Sequence, residues 1–123
     1  MAVGALSGHR VIVLGGMGGL GRSVVERFRS DGASVTVADA RLPADADRQE
    51  DLDYVTIDAL DESSISAAFA SAPPPQAVVN LIGGYSPPQP LSGLDVAVLR
   101  KQLELNLVTA TITTQHAMPL LAA

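Results

Sequence analysis

The chain of 123 residues contains no cysteine. That excludes disulfides, thiolate nucleophiles and cysteine-based zinc sites together, and it fits a reducing compartment, the cytoplasm. Aromatic residues make up only 3% of the sequence. The core must therefore be aliphatic, built from Val, Ile, Leu and Ala, which suits a parallel sheet covered by helices. There is a single lysine, Lys101, and the formal net charge is −5. Phosphate backbones demand clustered Lys and Arg, so nucleic acid is not an expected partner. No charged start followed by a long apolar run opens the chain, so no signal peptide is expected. The most apolar late stretch, Leu103 to Leu121, is broken by Glu104, Asn106, Gln115, His116 and Pro119, and no membrane span is expected there. The acids Asp45, Asp47, Glu50 and Asp51 crowd one stretch without organised ligand spacing. They read as a solvated connection, with no metal site.

Against these absences stands one dense feature, Leu14-Gly15-Gly16-Met17-Gly18-Gly19-Leu20-Gly21. It follows the apolar run Val11 to Leu14, which reads as a buried strand, and precedes Arg22 to Phe28, which reads as a helix. Glycine lets the backbone take positive φ and lets a ligand come close. The helix beyond aims free N–H groups and the positive end of its dipole at the same spot. This is the pattern of a dinucleotide-binding βαβ unit. Three glycine registers fit. Gly16-x-Gly18-x-x-Gly21 is the general fingerprint, Gly15-x-x-x-Gly19-x-Gly21 that of short-chain dehydrogenases, and Gly15-x-x-Gly18-x-x-Gly21 that of the extended, epimerase-like branch. A tight turn with no ligand is the plain alternative.

Along the chain, Ala2 to Gly8 leads in and Arg10 to Leu14 is the first strand. A helix is expected over about Gly19 to Ser30, with Leu20, Val24, Val25 and Phe28 inward at helical spacing and Asp31-Gly32 closing it. Ser34 to Ala38 is the second strand, ending at Asp39. Leu42 to Asp53 is a surface connection with room for one helical turn. Tyr54 to Ile57 is the third strand, ending at Asp58. A helix begins at Asp61 to Ser64, with Asp61 or Ser63 as cap, and stops at Ala72-Pro73-Pro74-Pro75. Ala77 to Ile82 is the fourth strand. Tyr85 to Gly93 is an extended, exposed loop. A long helix then runs from about Leu94 to Ala117, and Pro119 kinks or ends it. Right-handed crossovers give an α/β, partial doubly wound fold: a parallel sheet of about four strands in order 3-2-1-4, with helices on both faces. No domain linker interrupts residues 1–123.

Asp39 falls about 20 residues beyond the glycine turn, where an acid accepts hydrogen bonds from the adenosine ribose hydroxyls. It also repels a 2′-phosphate, by about 4 kcal/mol per unit charge at about 4 Å and an effective dielectric near 20 before screening. NAD is thus favoured over NADP, with Arg41 close enough to soften the preference. A solvated strand-end carboxylate is the alternative for Asp39.

Taken in order, Gly15, Gly19 and Gly21, then Asp39, Asp58-Ala59, Asn80-Leu81-Ile82-Gly83 and Asn106, resemble the first half of a short-chain dehydrogenase/reductase, a Rossmann fold. The resemblance covers nearly the whole chain and selects the Gly15-x-x-x-Gly19-x-Gly21 register. It implies a cofactor site of Gly15, Met17, Gly19, Leu20, Gly21, Asp39, Ala40, Asp58, Ala59, Asn80, Leu81, Ile82 and Gly83. Asp58 takes the place of the family's adenine-contacting acid. Asn80-Leu81-Ile82-Gly83 replaces the family's Asn-Asn-Ala-Gly, so a backbone role survives there better than a side-chain one. Asn106 falls on the helical Asn of the catalytic tetrad. Plain alternatives remain: Asp58 as a cap, Asn80 bonding across strands, Asn106 as an ordinary polar residue.

The resemblance also implies a single NAD(P)-binding domain that is incomplete at its C-terminus. The family's chemistry uses a Ser, and a Tyr with a Lys four residues later, all expected beyond the last residue here. Tyr54 is followed four later by Asp58, and Tyr85 by Gln89. The expected function is NAD(P)-dependent hydride transfer between alcohol and carbonyl once the site is completed. A non-catalytic NAD-binding or interaction module and an inactive truncated product are the alternatives. An apolar open edge at Val78 to Ile82 and an exposed stripe of Leu99, Leu103, Val108, Ile112 and Leu120 imply an oligomer or a partner chain.

Overall fold

The computed structural model describes residues 3–121; Met1 and Ala2, the start of the expected lead-in, lie outside them. Four strands, β1 (Arg10–Leu14), β2 (Ser34–Asp39), β3 (Leu52–Thr56) and β4 (Ala77–Asn80), form one parallel sheet in the order β3-β2-β1-β4. This is the expected order. The central strands are β-branched and apolar, and Val11 to Leu14 and Val35 to Ala38 are buried throughout. Such runs suit a strand covered on both faces.

Helix α1 (Gly19–Ser30) covers one face, packing Val24, Val25 and Phe28 against Val11, Val13, Val35 and Val37. Leu20 was expected on this stripe, but it is 67% exposed. It stands in the first turn of α1, where Gly21 is the residue that packs against the glycine turn. On the other face, α2 (Glu62–Ser71) and α4 (Thr109–Leu121) pack Ile65, Phe69 and Ala117 against Ile12, Leu14 and Ala38. Asp61 caps α2, its carboxylate accepting from the Ser63 N–H at 3.0 Å. His116 on α4 meets Glu62 on α2 at 3.1 Å.

Several boundaries differ from those expected. Strand β3 begins at Leu52, two residues before Tyr54, because Leu52 pairs with Val35 and packs into the core while Asp53 faces out from an edge strand. Strand β4 stops at Asn80, short of Ile82. There the Asn80 side chain takes the Ile82 N–H at 3.1 Å and turns the chain. The connection before β3 holds a short 3-10 turn, Asp45–Asp47, and the loop after β4 ends in another, Leu91–Gly93.

The long helix is three segments. Helix α3 (Val96–Leu103), capped by Asp95, leads into a π-helical segment, Glu104–Val108, and then α4. The Thr109 N–H bonds back to the Glu104 carbonyl and so passes over Leu105. The Thr109 hydroxyl donates to the Leu105 carbonyl instead, at 2.6 Å. Pro119 lies inside α4 and does not end it before Leu121. Of the expected exposed stripe, Leu99, Leu103 and Val108 are exposed, whereas Ile112 and Leu120 pack against the core. Among the described residues no helix is long and apolar enough to cross a membrane.

Candidate functional site

The carboxyl ends of β1, β2 and β4 open into a cleft of about 380 Å³. In open parallel sheets this is where ligands bind, beside the point at which the strand order reverses. Here that point lies between β1 and β4. The cleft gathers the expected residues Gly15, Met17, Asp39, Ala40, Ala59, Leu81, Ile82 and Gly83, and adds Gly18, Arg41 and Ile57. Gly19, Leu20, Gly21, Asp58, Asn80 and Asn106 do not line it. Sequence reasoning omitted Ile57 from the site because its apolar character and strand pattern signalled only core.

The turn itself is shaped by three glycines. Gly15 has φ +80°, a conformation side chains rarely adopt, and a Cβ there would meet the Leu81 carbonyl carbon at 3.0 Å. A Cβ on Gly16 would lie 2.8 Å from Val37, and one on Gly21 2.8 Å from the Gly16 Cα. The close approach of α1 to β1 therefore requires Gly16 and Gly21. Gly18 and Gly19 are different. A Cβ on Gly18 would make only ordinary contact, and one on Gly19 would meet nothing within 4 Å. No packing demand in the described chain accounts for either.

The N-terminus of α1 is open. Its cap residue Gly18 supplies no side-chain bond, and no acid stands in the first turn. The N–H groups of Gly19, Leu20 and Gly21 have no acceptor among the described residues. These are the orphan donors of a helix start, reinforced by the dipole, and they suit an anion. Arg22 steadies the turn by donating its Nε–H to the Met17 carbonyl at 3.0 Å.

Asp39 is fixed by backbone. One carboxylate oxygen accepts from the Met17 N–H at 3.0 Å and the other from the Arg41 N–H at 3.2 Å. Its remaining lone pairs stay free to accept from hydroxyl groups. The Arg41 side chain lines the same cleft and forms no ion pair among the described residues. Asp58 serves its own turn, accepting from the Leu60 N–H at 3.1 Å, and its N–H donates to the Ser64 hydroxyl. The capping alternative thus describes the contacts of Asp58.

Two asparagines shape the segment after β4. Asn80 bonds two residues ahead rather than across strands, and the Leu81 N–H reaches the Leu14 carbonyl at 2.9 Å. Asn106, inside the π segment, grips Gly84 twice. Its Oδ1 accepts from the Gly84 N–H and its Nδ2 donates to the Gly84 carbonyl, both at 3.0 Å. Nδ2 also donates to the Gln102 carbonyl at 2.9 Å. A Cβ on Gly83 would lie 2.6 Å from Asn106 Oδ1, so this contact needs glycine.

The family model for NAD dependent epimerases/dehydratases matches residues 11–117. The chain belongs to the NAD dependent epimerase/dehydratase family. Its fold is that of solved short-chain dehydrogenases/reductases, in line with the resemblance read from the motifs. Serine dehydrogenase from Escherichia coli is 20% identical, with a TM-score of 0.80 over 90% of this chain and 55% of its own. A short-chain type dehydrogenase/reductase from Mycobacterium ulcerans is 23% identical, with a TM-score of 0.80 over 93% and 46%. A further short chain dehydrogenase/reductase family protein is 25% identical, with a TM-score of 0.81 over 93% and 50%. The chain thus spans about half the length of these structures. The cofactor of the epimerase/dehydratase family is a nicotinamide dinucleotide. The lining fits one: a glycine turn without side chains and an oriented carboxylate stand within one opening, and the unsatisfied donors of Gly19, Leu20 and Gly21 follow on the same turn beyond that lining.

Proposed function

We propose that this chain is the cofactor-binding half of an NAD(P)-dependent oxidoreductase of the short-chain dehydrogenase/reductase type, which interconverts an alcohol and a carbonyl. The observation that carries the reading is the open N-terminus of α1 beside a fixed Asp39 carboxylate. Gly19, Leu20 and Gly21 hold the pyrophosphate by their N–H groups, and Gly18 and Gly19 keep the approach clear. Asp39 accepts from the adenosine ribose and disfavours a 2′-phosphate, so the cofactor is NAD. Ala40, Ile57 and Ala59 supply apolar surface for the adenine, with Asp58 on the turn beside Ala59. Leu81, Ile82 and Gly83 form the floor beneath the far half of the dinucleotide. The bound nicotinamide supplies hydride acceptance or donation. Asn106 acts by holding Gly84, a positioning role. The protein works in the cytoplasm, and the exposed Leu99, Leu103 and Leu107 on α3 and the π segment, with the open edge of β4, meet a second copy or a partner chain.

Calorimetric titration with NAD and NADP, on the wild type and on Asp39→Ala, tests this. NAD should bind, NADP at least about tenfold more weakly, with the gap closing in the variant. Equal affinity of the wild type for both would refute the role of Asp39, and no heat with either would remove the cofactor site. A second reading is a non-catalytic NAD-binding module, in which Gly15, Asp39 and the start of α1 hold the adenosine and pyrophosphate by themselves. Turnover of NADH with a carbonyl panel by this chain alone would exclude it.

A further inference from the structure

We propose that a second small-molecule site, independent of the dinucleotide reading, lies between α1 and the β2–β3 connection and takes a zwitterion: an ammonium and a carboxylate carried on one apolar body, as in an apolar amino acid. A cavity of about 510 Å³ opens there, larger than the cofactor cleft of about 380 Å³. Val25, Val37 and Leu52, all buried, line it from α1, β2 and β3. Exposed Arg22 and Asp47 stand at its rim with Tyr54 beside them. An apolar floor with a few convergent polar groups is the usual make-up of a small-molecule site.

Two of the rim groups carry charge without an ion partner. Arg22 gives its Nε–H to the Met17 carbonyl, and its terminal N–H groups meet no acceptor among the described residues. The Asp47 carboxylate makes no ion pair or hydrogen bond among them either. Glu26, the other acid on this cavity, is engaged by Arg29 at 3.1 Å. Arg22 and Asp47 are outside ion-pair distance of each other, so neither neutralises the other across the opening. A ligand of single charge would satisfy one and be repelled by the other. A zwitterion satisfies both, while its body covers Val25, Val37 and Leu52.

The rim is already built. The Tyr54 hydroxyl accepts from the Gln49 N–H at 3.2 Å, and the Asp47 N–H donates to the Ala44 carbonyl at 2.8 Å. Arg48 donates to the Pro43 carbonyl at 3.2 Å and sets its guanidinium 5.4 Å from the centre of the Tyr54 ring. These contacts hold the connection against β3, so little ordering is required when a ligand enters. The Tyr54 O–H has no acceptor among the described residues and stays available to a ligand carboxylate.

Titration of the isotope-labelled full chain with L-phenylalanine, phenethylamine and hydrocinnamate, followed through amide NMR shifts, tests the proposal. L-phenylalanine should shift the amides of Val25, Gln49 and Tyr54. It should bind at least about threefold tighter than either singly charged analogue, the size expected of one half-solvated ion contact. Asp47→Asn should reduce its affinity to that of hydrocinnamate, and Arg22→Gln to that of phenethylamine. Excess NAD should leave its affinity within about twofold. No shift at those amides, equal affinity for the three compounds, indifference to Asp47→Asn, or displacement by NAD would each overturn the proposal. Asp47 is exposed and its carboxylate is unbonded, so Asp47→Asn keeps the fold and decides the matter alone if Arg22→Gln does not fold. Phenylalanine binding in a chain that ignores NAD would remove the cofactor cleft and leave this site standing.

Discussion

Gly19 and Gly21 stand two residues apart in one helical turn, yet the structure assigns them opposite constraints. In Gly21→Ala the new methyl would lie 2.8 Å from the Gly16 Cα and 2.9 Å from its carbonyl carbon. Both are backbone atoms, so no side chain can rotate away. Overpacking of this kind costs about 3 kcal/mol, and α1 must lift from β1 to relieve it. In Gly19→Ala the methyl meets nothing within 4 Å. Alanine is the better helix former by up to about 1 kcal/mol, so this variant should be at least as stable as wild type. A gain of that size would raise Tm by about 2–6 °C. The same methyl intrudes on the space left for the pyrophosphate, and NAD affinity should fall by at least about tenfold. Urea denaturation and calorimetric titration on the two variants give both numbers. The reasoning is refuted if Gly19→Ala binds NAD like the wild type, since the open space beside Gly19 would then not be ligand space. It is also refuted if Gly19→Ala is destabilised as strongly as Gly21→Ala.

Thr113 is 1% exposed and its hydroxyl has no partner among the described residues, so Thr113→Val, which keeps the shape, should raise urea-derived stability by about 1–2 kcal/mol. Two carboxylates give the fold an acid dependence. The Ser63 hydroxyl and backbone hold the Asp61 carboxyl below the ordinary carboxylate range, and Arg29 does the same for Asp51. The unfolded chain therefore binds more protons than the folded one, so this stabilisation is present at neutral pH and is lost as pH falls below the ordinary Asp value of about 3.9. Asp61→Asn, which keeps a capping oxygen, should show a smaller drop in Tm between neutral and acid pH than the wild type.

The sheet was legible because its signals are local and redundant. Val11 to Leu14 and Ser34 to Ala38 are short apolar runs flanked by turn residues, and the strand–turn–helix order leaves few topologies open to a right-handed crossover. The cleft was legible for a related reason: Gly15, Asp39 and Gly83 all stand at strand ends, which parallel pairing brings to one side. The misreadings came where side chains compete with the backbone. The amide of Asn80 ends β4 early, and an apolar Leu81-Ile82 cannot announce that. Leu20 has the right spacing for the inward stripe, but in the first turn of α1 it is Gly21 that meets the glycine turn. The π segment had no signature in periodicity, since Glu104 to Val108 contains good helix formers. The hydroxyl of Thr109 and the amide of Asn106, each serving the carbonyl four residues back, are its nearest chemical trace.

That π segment sets the rotational phase of everything after it. Each residue added to an α-helix turns the following side chains by about 100°. The wide turn accommodates one extra residue, since five π residues turn about as far as four α residues, whereas deleting one residue from the regular helix α3 would rotate α4 by about 100° relative to the start of α3. Thr109, Thr113 and Ala117, now buried against the sheet and α2, would swing toward solvent, and Ala110, Thr114 and Met118 would be offered to the core in their place. Changes of length should therefore be tolerated in the proline-rich loop or at the π segment, and not within α3 or α4.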